Sequence, residues 1–339
     1  MSRMRNCLIP LSLAAGATTL LTAGWIRQGR VNRAALASNT EEMTWQALRQ
    51  LNVAAEARTI AVNGLELHTI VAGPLDGPLV VLLHGFPENW YTWRKQIRPL
   101  VETGYRVVVP DQRGYNLSDK PRGIHPYRLE ALSADVVELI RAFEREKAIV
   151  VGHDGGGVVA WHLAMHHPEV VEQLIVMNAP HPAAYLREIR SNPAQQRRSW
   201  YVGFFQLPIV PEALLGHDPI ESAGRFFRQG AVNQEAFSSF DIHVMASALA
   251  QPGALTGMLN WYRAAARDRS ALESLRPIDR PTLLIWAEDD VALGRSLTYG
   301  LEPWISHLKI HYIPHCGHWV QNEAPDEVNA QLLEFLKAG

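Results

Sequence analysis

Cysteine is almost missing from this chain: 2 residues in 339, Cys7 and Cys316. Two thiols so far apart exclude a disulfide framework, so the fold must rest on burial, and thiol usage says nothing about compartment. Excess charge of either sign is also missing. Lys and Arg number 32 against 34 Asp and Glu, for a net charge of -2, and the one Arg-rich run, Arg187 to Arg198, is mixed in composition. That balance excludes nucleic acid as a partner. Neither internal repeats nor low-complexity tracts occur, which excludes solenoids and disordered arrays. At this length the chain can bury a large core, as one domain with an insertion or as two domains.

The N-terminus stands apart from the rest. Arg3 and Arg5 precede an apolar stretch, Cys7 to Ile26, long enough to cross a bilayer but diluted by Pro10, Gly16, Thr18, Thr19 and Thr22. It reads as an export signal or membrane anchor and makes the protein exported or membrane-associated; without a true signal there, the protein would be cytoplasmic. The Ala35-Leu36-Ala37 site is separated from the apolar core by Arg27, Arg30 and Arg33, which is unusual for cleavage. A short amphipathic helix is expected within 38–57, N-capped by Asn39 or Thr40, so residues 1–57 form a signal or anchor plus a linker helix.

From residue 58 strands alternate with helices. Arg58 to Val62 and Leu65 to Val71, joined at Asn63-Gly64, read as a hairpin. Leu79 to Leu83, Arg106 to Val109, Ala148 to Val151 and Gln173 to Met177 read as buried strands, with helices expected over Tyr91 to Val101, Leu129 to Phe143 and Gly157 to Met165. Such alternation implies a mostly parallel sheet covered on both faces. Between Pro182 and Arg280 it stops, and a span punctuated by Pro208, Pro211, Gly216, Pro219 and Pro252-Gly253 reads as several helices, an inserted lid over 182–280. Strands resume at Thr282 to Trp286 and Leu308 to Ile313, and Pro325 to Leu336 is the closing helix. The core is therefore 58–181 plus 281–339.

The stretch Gly152-His153-Asp154-Gly155-Gly156 links a buried strand to a helix through a small-x-Asp-x-small turn. This is the pattern of a nucleophile elbow, which pushes one side chain into a pocket. A serine displacing a leaving group at a saturated carbon would form an ether that water and histidine cannot cleave. A carboxylate forms an ester, whose carbonyl water can attack. Asp154 therefore points to substrates reacting at an sp³ carbon, epoxides or alkyl halides. A base and an orienting acid must follow it. His318, just past the last strand, is the base; His311 lies inside that strand and His315 competes less well. Among the acids, Glu288, Asp289 and Asp290 remain open on pattern alone. Backbone N–H groups of Gly155 and Phe86 are placed to form an oxyanion hole. Trp93, Trp161, His84 and His153 read as structural. His311, His315, Cys316 and His318 carry no matched second pair of ligands, so no metal site is expected.

Taken together, His84-Gly85-Phe86-Pro87-Glu88, Asp111-Gln112-Arg113-Gly114-Tyr115, the elbow, Asn178-Ala179-Pro180-His181-Pro182, Asn260-Trp261-Tyr262-Arg263 and Gly317-His318-Trp319 resemble the α/β-hydrolase-fold epoxide hydrolases from about residue 58 onward. The resemblance implies a cofactor-free enzyme acting on a small apolar epoxide and water. It implies Asp290 as orienting acid, within Trp286-Ala287-Glu288-Asp289-Asp290, since the alternative acid position after the sixth strand holds Asn178. It implies Tyr201 and Tyr262 as lid proton donors. Phe86, Phe204, Phe205 and Trp261 are expected to line an apolar tunnel. Haloalkane and haloacid dehalogenases are the nearest rivals, and Gly155 and Val158 stand where their halide-binding Trp or substrate-binding Arg would be. A non-catalytic lidded receptor would be expected to have lost part of this set, and none of it is missing.

Overall fold

In the computed structural model, residues 33–268 and 275–338 are described. The signal or anchor expected over Cys7 to Ile26, and residues 269–274 of the expected lid, lie outside them. Among the described residues no helix is long and apolar enough to cross a membrane.

Eight strands form one sheet: β1 (Ala55–Val62), β2 (Leu65–Ala72), β3 (Leu79–Leu83), β4 (Arg106–Pro110), β5 (Ala148–His153), β6 (Val171–Met177), β7 (Thr282–Ala287) and β8 (Leu308–Ile313). Their spatial order is β1-β2-β4-β3-β5-β6-β7-β8. The hairpin β1-β2 and the β2-β4 pair are antiparallel, and every other pairing is parallel. Asn63 and Gly64 both adopt positive φ, 47° and 74°, as a two-residue hairpin turn demands. The strands β3, β4, β5 and β7 are buried at every residue. This explains why they read as unbroken apolar runs rather than alternating ones: helices cover both faces of a parallel sheet.

The order decides where a site can form. β3 has β4 on one side and β5 on the other, so successive connections leave it in opposite directions. The strand order reverses there, and a crevice opens beyond the C-terminal ends. Leu83, the last residue of β3, pairs with Gly152 of β5. The His84-Gly85-Phe86-Pro87 loop and the Asp154 turn therefore emerge side by side.

Between β6 and β7 the chain forms the helices Pro182–Ser191, Pro193–Arg198, Trp200–Phe204, Val210–His217, Pro219–Ala223, Ser239–Ala250 and Ala254–Arg267. The helix Thr40–Gln50 packs against this layer: Ala47, Leu48 and Leu51 are buried, and Thr40 Oγ1 donates to Ser247 O at 3.3 Å. Asn39 precedes it, but its side chain makes no capping bond. The helix expected from Tyr91 begins as a 3₁₀ turn, Trp90–Trp93, and becomes α-helical over Arg94–Glu102.

Candidate active site

Asp154 ends β5 and opens the helix Asp154–His166, with φ at 47°. An L-residue rarely holds that conformation unless its surroundings force it. Here the forcing comes from crowding. A Cβ on Gly156 would stand 2.3 Å from Leu83 O, and one on Gly152 would stand 2.5 Å from Gly156 O. Only glycine lets strand, turn and helix approach so closely, which is the physical content of the small-x-Asp-x-small pattern.

Of the acids and histidines considered from the sequence, Asp290 and His318 converge on this carboxylate. His318 Nδ1 lies 2.7 Å from Asp290 Oδ2, and His318 Nε2 lies 3.6 Å from Asp154 Oδ2. The second distance is an ion-pair contact rather than a hydrogen bond. Asp290 is clamped on all sides: Asn178 Nδ2 donates to its Oδ2 at 2.7 Å, and the N–H groups of Ala292 and Leu293 donate to its Oδ1 at 2.7 and 3.0 Å. Asn178, the residue in the alternative acid position, thus holds the acid that is present. Of the neighbouring carboxylates, Glu288 pairs with Arg295, and Asp289 lies 3.8 Å from the exposed His315. His311 stays in β8 and bonds Glu327 at 2.8 Å.

The electrostatics follow from this geometry. Burial would raise the Asp154 carboxyl, but His318, His153 and the Phe86 N–H at 2.8 Å outweigh it and hold it at about 2. Burial would lower the His318 imidazole, yet Asp290 and then Asp154 hold it well above its usual range. Tyr201 and Tyr262 are pushed well above 10, by burial first and the Asp154 charge second. Their rings meet edge to face with centroids 6.0 Å apart. Gly155 occupies the first helical turn, where backbone N–H groups have no intrahelical acceptor.

Asp154, Gly155, Phe86, Tyr201, Tyr262 and Trp261 all line one cavity of about 320 Å³. Phe204 and Phe205 do not line it, contrary to the sequence expectation. Phe205 is turned into the packing behind the wall, against Phe86 at 5.1 Å and Tyr262 at 5.0 Å between centroids, and Phe204 packs on Trp200 and Phe205. The places at the wall are taken by Tyr115, Tyr127, Leu132, Tyr185 and Val202. Only tertiary packing could have found these, because they come from separate loops and helices.

Trp93 and Trp161 are fully buried, and His84 Nε2 accepts the Gln112 N–H at 3.0 Å. Glu88 was passed over although it closes the His84-Gly85-Phe86-Pro87 motif. It is buried, 2.8 Å from His153 Nδ1, and accepts from the Gly85 N–H at 2.7 Å, from Gln321 at 2.9 Å and from Thr92. His153 Nε2 in turn lies 2.9 Å from His318 O. Its removal leaves His153 Nδ1, the Gly85 N–H, the Gln321 amide and the Thr92 hydroxyl buried without this acceptor, so Glu88→Ala is expected to lower unfolding stability by about 3–5 kcal/mol. Urea denaturation measures this; a loss under about 1 kcal/mol would mean the pair is not structural.

A buried carboxylate at a strand-to-helix turn, a histidine within ion-pair reach, a clamped second acid and a largely apolar cavity are the features of a hydrolase site. The alpha/beta hydrolase fold family matches residues 78–325. Epoxide hydrolase 3 of Xenopus tropicalis is 37% identical over 285 residues, covering 81% of this chain and 76% of that protein. The AB hydrolase superfamily protein YfhM of Bacillus subtilis is 46% identical over 279 residues, covering 82% of this chain and 96% of its own. A crystal structure of the Bacillus megaterium epoxide hydrolase in complex with an inhibitor superposes with a TM-score of 0.77 at 30% identity, covering 83% of this chain and 100% of that one. The chain belongs to the epoxide hydrolase family of the α/β-hydrolase fold and is a hydrolase.

Proposed function

We propose that the protein opens epoxides to vicinal diols through an ester on Asp154. The observation that carries this reading is the pairing, in one cavity, of an ionised elbow carboxylate with two phenols. In the first half-reaction an Asp154 oxygen attacks a ring carbon, the C–O bond breaks, and Tyr201 and Tyr262 deliver a proton to the departing oxygen. An alkoxide leaves poorly at neutral pH without that proton. In the second, His318 takes a proton from water, the resulting hydroxide attacks the ester carbonyl of Asp154, and the N–H groups of Phe86 and Gly155 stabilise the oxyanion. Asp290 keeps the imidazole oriented and stabilises its protonated form. Collapse releases the diol and regenerates the carboxylate with one oxygen from water, and the proton held by His318 returns to the tyrosine that gave one up in the first half-reaction.

Against halide release stands the indole beside the elbow. A Cβ on Gly155 would sit 3.7 Å from the Trp261 ring, and the Trp261 N–H already donates to Arg113 O at 3.0 Å. That indole has no donor left for a halide.

Because the two phenols share the proton transfer, Tyr201→Phe and Tyr262→Phe are each expected to slow ester formation roughly 10- to 100-fold, and the double variant at least about 10⁴-fold. Pre-steady-state fluorescence quenching of the active-site tryptophan with excess epoxide measures this step. Single and double variants of equal, near-normal rate would remove the tyrosines from the mechanism.

A further inference from the structure

The cavity continues well past the reacting groups. The helix starting at Asp154 turns one stripe into it, Gly155, Val158, His162 and Met165, the i, i+3, i+4 spacing of a single helix face. His162 stands eight residues beyond Asp154, about 12 Å along the axis. Val158 stands between them on the same helix face, and Leu129, Leu132 and Tyr127 add apolar lining to the same space. The far end of the stripe carries His162; Arg128 and Asp268 line the same cavity, and the Asp268 charge acts on the His162 ring.

His162 is 3% exposed, and its Nδ1 lies 2.7 Å from Ser133 Oγ. Among the described residues no second hydrogen bond engages the ring. Its ring stacks on His166 with centroids 4.3 Å apart. Burial, then the neighbouring His166 and His167, lowers its pKa to about 4, so it is neutral at pH 7. A neutral imidazole bonded through Nδ1 offers Nε2 as donor or acceptor, according to tautomer.

We propose that this far end is a subsite for a hydroxyl on the substrate tail, which selects epoxides carrying a chain with a hydroxyl about 12 Å from the ring over plain hydrocarbon epoxides. A hydroxyl satisfies either tautomer of His162, since it both donates and accepts. The two charged residues that line the cavity, Arg128 and Asp268, are of opposite sign and favour neither an anionic nor a cationic tail, so the neutral imidazole selects a neutral hydrogen-bonding group. The inference rests on the epoxide reading above and specifies which epoxides the site takes.

The test is a series of 1,2-epoxyalkanes of increasing length, each with and without an ω-hydroxyl. The wild type, His162→Leu and His162→Gln are each assayed, with 1,2-epoxybutane as the short control. At the length that reaches His162, the hydroxyl is expected to raise wild-type kcat/KM roughly tenfold, mainly through KM, the size of one well-made hydrogen bond. At shorter lengths it lowers kcat/KM, because the hydroxyl is then left against the apolar wall. The gain disappears in His162→Leu and returns in part in His162→Gln. A ratio that does not vary with chain length overturns the subsite, as does a gain that persists in His162→Leu or a preference for ω-carboxylate or ω-ammonium tails. Should the Leu variant fail to fold, the wild-type length series decides alone. Turnover of 1,2-epoxybutane with a flat ratio removes the subsite and leaves the epoxide reading intact; no turnover of any epoxide removes both.

Discussion

Asp154→Ala is expected to abolish diol formation, lowering kcat by at least about 10⁴-fold. The size follows from the arrangement around the elbow. On the proposed route every other group there acts on something Asp154 must make first: the tyrosines would protonate the oxygen its attack expels, and His318 would activate water for the ester it forms. With the carboxylate removed, only binding and polarisation by the phenols remain. A direct attack of water on the epoxide, with His318 as base, would instead leave substantial activity in this variant. Oxygen-18 water separates the two routes in the wild type. In a single turnover the ester route places the heavy oxygen in the Asp154 side chain, whereas direct hydration places it in the diol. Peptide mass spectrometry reading no label at Asp154 while diol forms would falsify the covalent route.

The second large effect is expected from His318→Gln: rapid ester formation, then a stall. Intact-protein mass should rise by the mass of the epoxide, at one equivalent per chain, while turnover falls roughly 10²- to 10⁴-fold. In the wild type, pH should separate the same two steps. In the free enzyme two carboxylates raise the His318 imidazole, Asp290 at 2.7 Å and Asp154 at 3.6 Å. Alkylation neutralises Asp154, so the imidazole loses one of them and gives up its proton more readily. As a base it must be deprotonated, so ester hydrolysis speeds up as pH rises through the imidazole pKa of the ester form. Ester formation should be nearly flat over the same range. Asp154 is ionised down to about 2, and both phenols hold their protons well past 10. The alkylated fraction at steady state should therefore be highest in acid and fall as pH rises. A fraction that rises with pH would reverse the assigned order of the two steps.

The same pair of charges bears on folding. A raised imidazole contributes stability below its unfolded pKa of about 6.5 and loses it as pH climbs through the folded value. A depressed carboxyl contributes stability above about 3.9 and loses it as pH falls toward 2. The Asp154–His318 contact thus favours the folded state most between these limits.

Much of the core was legible because parallel strands buried on both faces leave unbroken apolar runs, and two of those runs, β5 and β6, lead into a residue with positive φ, Asp154 and Asn178. The elbow illustrates this. Gly152 and Gly156 leave the backbone as the only group that fits, so the turn is written in two letters, and Asp154 between them is turned toward the cavity. Of the two histidines just past the last strand, His318 is buried and meets Asp290, whereas His315 is exposed. Choosing Asp290 among three adjacent carboxylates needed either a family resemblance or the coordinates, since sequence neighbours share every local signal. In space they separate at once: Asp290 takes three protein donors beside Asn178, whereas Glu288 and Asp289 face Arg295 and His315.

What the chain's letters determined alone is the period of its elements and the tight glycine-flanked bend that carries a carboxylate, from which the proposed attack on a saturated carbon is inferred. What only the tertiary structure decided is which aromatic rings reach the cavity. Phe204 and Phe205 looked equivalent to Phe86 along the chain, yet packing turns them behind the wall, while Tyr185 and Val202 line the cavity itself. It also decided that Glu88 and His153 meet beneath His318, and that His162 faces the same space as Asp154 two helical turns away. Helix periodicity marks a residue as belonging to a face; what that face meets depends on elements contributed from distant parts of the sequence, which no local pattern encodes.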